Sequence, residues 1–161
     1  MSDYKIRLLE KHKLRYSYWV SERQFRRYVK RALSQHGIAG ENLLRLLERR
    51  LDNLVYRLGF APSIPAARQL VVHGHIFVNG EKVDRPSYSV RAGEVISVKE
   101  SSKKMPLVQE ALVRSQARPE LSYVKVDKKN LLGSLIAIPS REEIPLPLDE
   151  GLVVEYYAKY I

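Results

Sequence analysis

The chain has 161 residues, 45% of them apolar, and a net charge of +10. That length makes one domain or two small ones and buries roughly 70% of the unfolded surface without covalent staples. Cysteine is absent, which excludes disulfides and thiolate zinc sites and fits a reducing, cytoplasmic compartment. No apolar run approaches the roughly 20 residues of a membrane helix, and Met1-Ser2-Asp3-Tyr4-Lys5 lacks the apolar core of a signal peptide.

The N-terminal segment, from Tyr4 to about Tyr18, is helix-compatible and strongly basic, with Lys5, Arg7, Lys11, Lys13 and Arg15. Ser21-Glu22-Arg23-Gln24 is a capping box, in which the Ser21 hydroxyl accepts from the Gln24 amide while the Gln24 side chain reaches back. Behind it, Phe25, Tyr28, Val29, Ala32 and Leu33 form one apolar helical stripe. Arg23, Arg26, Arg27, Lys30 and Arg31 occupy the other face. His36 to Gly40 is a break. One long helix is predicted from Glu41 to Leu58, with Leu43, Leu44, Leu47, Leu51, Leu54, Val55 and Leu58 inward. Arg45, Arg49, Arg50, Asn53 and Arg57 lie off that face, and Gly59 stops it.

Ser63 caps the next helix, where Pro65 in the first turn loses no hydrogen bond. Ala66, Ala67, Leu70 and Val71 face inward, and Gly74 ends the helix. His75 to Val78 is a strand, Asn79-Gly80 is a strong hairpin signal, and Glu81 to Asp84 returns. Pro86 demotes the following piece to an edge or loop. Val95 to Val98 is a further strand. Ser101 to Lys104 is a polar connection, and Pro106 to Ser115 a helix. Ser122 to Val126 and Leu131 to Ile138 read as strands joined at 127–130. Pro139, Pro145 and Pro147 mark a loop, and Asp149 caps a last helix running through Tyr160, with Leu152, Val153, Tyr156 and Tyr157 inward.

A lone terminal helix is too short to stand alone, so it docks onto the first helices. The predicted fold is therefore α+β: a discontinuous all-helical domain (1–50 completed by 147–161) with an inserted α+β domain (51–146), helices packed on a small, mostly antiparallel sheet.

The chemistry of catalysis finds no purchase. There is no G-x-S-x-G, P-loop or H-E-x-x-H pattern. Glu142 and Glu143 are adjacent and diverge as solvated loop charges. His73 and His75 have no third or fourth ligand in view for a metal. No cofactor is expected, and no enzyme.

Charge points elsewhere. The excess is +8 over residues 1–50, +3 over 51–104 and −1 over 105–161. A solubility device would be spread evenly, whereas a concentrated excess suits a polyanion. Arg23, Arg26, Arg27, Lys30 and Arg31 repel one another at helical spacing unless a counter-charge is supplied. Trp19 is expected in the core, while Tyr16 and Tyr18 either stack on bases or pack inside. Arg68, Gln69, His73 and His75 gather where a helix meets a hairpin, and Lys82, Arg85, Ser87 and Tyr88 add donors across it. Structured RNA, read by shape and by phosphate and 2′-OH contacts, fits such an edge, and Lys5, Arg7, Lys11, Lys13, Arg15, Arg49, Arg50, Asn53 and Arg57 are expected to join these residues in contacting it. The basic helices lack the large apolar face of a membrane binder.

The run from Arg50-Leu51-Asp52-Asn53-Leu54 through Tyr56-Arg57-Leu58-Gly59-Phe60-Ala61 continues in Ala67-Arg68-Gln69-Leu70-Val71, His73-Gly74-His75-Ile76, Val78-Asn79-Gly80 and Pro86-Ser87-Tyr88. Together these resemble the RNA-binding module of the bacterial small-subunit ribosomal protein S-four family, here at about 51–99. Ser2-Asp3-Tyr4, Glu10 to Arg15, Glu22 to Arg26 and the ending Leu152 to Tyr157 resemble its flanking helices. The resemblance implies a primary binder of small-subunit ribosomal RNA that fixes a multi-helix junction in the 5′ domain early in assembly. It further implies contact with ribosomal protein S-five and other small-subunit proteins, and no obligate homo-oligomer. It begins at Ser2, without the longer N-terminal extension usual in the family, so zinc-binding cysteines and arginines of that extension are not carried over. Ile64 and Pro65 stand where the family often has basic residues. The alternatives are an RNA-modifying enzyme, such as a pseudouridine synthase, or an RNA chaperone using the same module.

Overall fold

The computed structural model describes residues 2–160. The chain divides into two compact units, Met1–Leu47 with Ser140–Ile161, and Glu48–Pro139.

The first unit is helical. Helix α1 (Asp3–Tyr18) is capped by Ser2, whose hydroxyl accepts from the Lys5 amide. Helix α2 (Glu22–Ser34) carries the full capping box of Ser21 and Gln24. Helix α3 (Ala39–Glu48) begins in this unit, and helix α7 (Glu150–Tyr160) returns to pack along α1. Leu14, Tyr18, Phe25, Val29, Ala32, Leu43, Leu44, Leu47, Val153, Tyr156 and Tyr157 make the core. Asn42 locks the turn between α2 and α3 by donating to the carbonyls of Ala32 (3.2 Å) and His36 (3.1 Å). Leu33, predicted on the apolar stripe, is 51% exposed.

The second unit packs helices α4 (Leu51–Arg57), α5 (Ile64–Val72) and α6 (Pro106–Ser115) with a five-stranded antiparallel sheet. Its strands are β1 (Ile76–Val78), β2 (Glu81–Lys82), β3 (Val95–Val98), β4 (Val124–Asp127) and β5 (Leu132–Leu135), in the order β2-β1-β3-β5-β4. Asn79 (φ 50) and Gly80 (φ 80) form the β1–β2 turn, both with the positive φ that a type I′ turn requires. Ile76, Val78, Ile96, Val98 and Leu135 point from the sheet into a core shared with Leu54, Leu58, Leu70 and Val71. Gly133 is required by packing. A Cβ there would come within 2.6 Å of the Leu58 side chain.

Two expectations need correction. The long helix from Glu41 to Leu58 is two helices. Arg50 between them is extended (φ −63, ψ 140) and bridges to Ser89. The amides of Leu51 and Asp52 donate to the carbonyls of Tyr88 and Pro86, and the Val90 amide donates to Arg49. A segment some 40 residues away thus supplies the hydrogen bonds that helix continuation would have made, which no local pattern announces. By packing, the two units part after Leu47 and Pro139. Glu48 is fully buried by partners of the second unit, and Ile144 belongs to the core of the first. Finally, Trp19 lies outside the core, 55% exposed, whereas Tyr18 is buried.

Candidate nucleic-acid interface

The predicted binding residues sort into two physical groups. In the first unit, α2 presents Arg23, Arg26, Arg27, Lys30 and Arg31 to solvent. The register of the helix does this: Phe25, Val29 and Ala32 are buried, so the positions between them turn outward. Among the described residues Arg26 alone of these five has a carboxylate partner, Glu22 at 3.4 Å. Arg23, Arg26, Arg27 and Lys30 border a groove of about 770 Å³, floored by Val29, Leu33 and Tyr157. Lys5 and Lys13 of α1 are also exposed, with Lys13 paired to Glu10 (3.0 Å).

The other cations of α1 work inside the fold. Lys11 is buried, 2.9 Å from Glu22 and over the Tyr156 and Tyr157 rings. Arg7 pairs with Glu155 at 2.9 Å, which raises its pKa further, the hydrogen bond leading. Arg15 lies 3.7 Å from Glu22 and donates to the Val20 carbonyl. Glu22 is therefore a hub. Burial pushes its carboxyl up, but hydrogen bonds from Lys11, Tyr157 and Arg26 outweigh it and hold the pKa below the ordinary range. Burial, then the bond to Glu22, raises the Tyr157 hydroxyl, so it stays a donor.

The second unit shows the same division more sharply. Asp52 is fully buried and receives two bonds from Arg50 (3.1 and 3.0 Å) and two from Arg68 (3.3 and 3.0 Å). Glu48, also fully buried, accepts from Arg57 at 2.9 Å and from the Tyr123 hydroxyl. Asn53 is buried and donates to the Glu48 carbonyl. Arg49 spends its Nε on the Val90 carbonyl. Arg50, Asn53 and, for the most part, Arg57 are buried as interior struts of the second unit. A buried carboxylate needs such partners, since losing one leaves an uncompensated charge. Arg68 is intermediate, its side chain 35% exposed although bound to Asp52.

What remains outward is the joint of α5 with β1 and β2. Gln69, His73, Lys82, Arg85 and Ser87 are exposed, and His75 is half-buried. Gly74 (φ 80) makes the turn, and a Cβ there would lie 3.3 Å from Lys82 Cδ, so the lysine stem runs along the joint. His75 Nδ1 sits 2.6 Å from the Ser102 hydroxyl, which fixes its ring. Tyr88 donates its hydroxyl to Glu94 at 2.7 Å, which raises its pKa and uses up the donor. Arg85 stacks over the Tyr88 ring at 6.0 Å. Sequence reasoning missed the exposed Trp19 altogether.

Residues 1–48 match the family described as the ribosomal protein S4/S9 N-terminal domain, and residues 49–96 match the S4 domain. The chain is 48% identical over 159 residues to the small ribosomal subunit protein uS4 of Pelodictyon phaeoclathratiforme, covering 99% of this chain and 78% of that one. It is 51% identical over 158 residues to the protein of the same name from Desulfitobacterium hafniense, covering 98% and 76%. The relative in Acetivibrio thermocellus is 49% identical, over 99% and 76%. With that identity running through both units, the chain belongs to the uS4 family of small ribosomal subunit proteins.

Proposed function

We propose that this protein is a structural, non-enzymatic constituent of the small ribosomal subunit that binds ribosomal RNA. The observation that carries the reading is the α2 row of Arg23, Arg26, Arg27, Lys30 and Arg31, exposed and with a single carboxylate partner among the described residues. Such a row is costly without an external counter-charge, and RNA phosphate supplies one. The exposed Gln69, His73, Lys82, Arg85 and Ser87 give the second unit its own polar edge, of the shape-reading kind that suits A-form helices.

At finer grain, the protein grips several RNA helices of the 5′ domain early in assembly and holds their mutual angles, in the cytoplasmic ribosome. Ribosomal protein S-five is its proposed protein neighbour. If about 6–10 phosphates are neutralised, affinity falls by roughly 10³–10⁵ between 50 and 200 mM salt. Filter binding of the full chain to naked small-subunit RNA across that range tests the reading. Charge reversal at Arg26 and Arg27 together should shift the curve and reduce its salt slope by about 2, with the fold intact. Equal affinity of variant and parent at low salt would remove the α2 row from the interface.

A further inference from the structure

The groove beside α2 has an apolar floor that its cations do not explain. Leu33 shares a helical stripe with Phe25, Val29 and Ala32, yet those three are buried while Leu33 is 51% exposed. With Val29 and Tyr157 of α7 it floors the groove of about 770 Å³. The floor is held in place, since the Tyr157 hydroxyl donates to Glu22 at 2.9 Å and its ring lies 5.7 Å from that of Phe25. Arg23, Arg27 and Lys30 line the same groove with no carboxylate partner among the described residues. Arg26, beside them, is held by Glu22 at 3.4 Å.

Length and chemistry sort the occupants. From Arg23 to Leu33 the array follows α2 for about 15 Å, at about 1.5 Å per residue. One small anion is shorter than that, whereas a helix of about three turns matches it. A phosphate backbone pairs with the cations and leaves the floor in water. A nucleobase stacks on an open aromatic face, but Tyr157 is only 7% exposed and the rest of the floor is aliphatic. An amphipathic helix meets both demands. Its aliphatic side chains at i, i+3, i+4 and i+7 fill an apolar groove, and acidic residues flanking them complement the cations.

We propose that this groove docks an acidic amphipathic helix of a partner protein. Leu33 takes the partner's aliphatic anchors, and Arg23, Arg27 and Lys30 take its carboxylates. Those carboxylates relieve the mutual repulsion of the α2 row when no RNA is bound. Because the same cations serve phosphate, partner and RNA exclude each other. The exclusion rests on the reading of α2 as an RNA contact, while the docking rests on the groove alone.

The test uses the full chain and a labelled synthetic peptide of about four helical turns, with leucines on one face and glutamates beside them. Fluorescence anisotropy should show saturable binding, and unlabelled small-subunit RNA should displace the peptide. Leu33→Gln should fold like the parent, because half of that side chain already meets solvent. It should weaken the peptide about tenfold and leave RNA affinity unchanged, whereas Leu33→Met should keep both. A peptide of the same composition with its leucines scattered round the helix that binds as tightly, or a Leu33→Gln chain that holds the peptide like the parent, would reduce the contact to bare charge and overturn the docking. Equal loss of peptide and RNA affinity in Leu33→Gln would assign the floor to RNA and overturn the protein partner. If the peptide does not dock while the Arg26 and Arg27 reversal still weakens RNA binding, the docking alone falls. If the peptide docks through Leu33 and RNA fails to displace it, the exclusion falls together with the reading of α2 as an RNA contact.

Discussion

In α2, Arg23, Arg27, Lys30 and Arg31 stand in solvent with no carboxylate partner among the described residues. In the other unit Arg50, Arg57 and Arg68 are held by Asp52 and Glu48, two carboxylates with no exposed surface. Both sets look alike as sequence, since each is a cluster of arginines beside an apolar helical stripe. The difference lies in the acids. Glu22 is partly exposed and shared among Lys11, Arg15 and Arg26, which leaves most of the α2 charge for a ligand. Asp52 and Glu48 are sealed inside, and their arginines are committed before any RNA arrives. A buried acid turns a nearby arginine into a structural part, so counting basic residues overstates an interface.

The largest test of this contrast is Arg50→Ala, which leaves the buried Asp52 with Arg68 as its remaining arginine partner. It should cost about 1–3 kcal/mol of stability, read by urea unfolding, and any RNA defect should vanish once the fraction folded is accounted for. The Arg26 and Arg27 reversal should do the opposite, losing RNA affinity while stability stays within about 0.5 kcal/mol. A result in which both variants lose the same amount of stability would erase the distinction. Ser21→Ala is smaller, about 1 kcal/mol, because it removes an N-cap that accepts from the Gln24 amide at 3.2 Å. It should weaken RNA binding only through α2.

The mildest expected effect is on pH. The Glu22 carboxyl has its pKa lowered by folding, burial opposing and the bonds from Lys11, Tyr157 and Arg26 prevailing. The Glu10 carboxyl is lowered likewise, burial opposing and the bonds from the Asp149 amide and Lys13 prevailing. A carboxyl depressed by folding stabilises the native state above its unfolded pKa and loses that contribution as pH falls through its folded pKa. Stability of the helical unit should therefore be flat near neutrality and decline from about the ordinary value of 4.5 downward. Glu22→Gln should flatten part of that decline in circular dichroism melts. An unchanged acid limb would remove Glu22 from its role as hub.

Much of the architecture was readable without coordinates. The capping box at Ser21, the Asn79-Gly80 hairpin, the Ser63 cap and the α7 apolar face depend on residues within a few positions of each other. Such signals survive in one dimension because their partners are neighbours. The α2 face was legible for the same reason: helical periodicity places Phe25 and Val29 inward and the cations outward.

The fate of individual arginines was decided only in three dimensions. The break at Arg50 is imposed by the segment from Pro86 to Val90, which takes over its neighbours' hydrogen bonds. The sealing of Glu48 needs Tyr123, distant in sequence, to close over it. Trp19 caps α1 in the left-handed region and is exposed, which no apolar count can register. Sequence alone settled the family, the helix starts and the sign of the charge, since each is a local or additive property. Tertiary structure settled which charges face water, since burial depends on what folds over a residue from elsewhere in the chain.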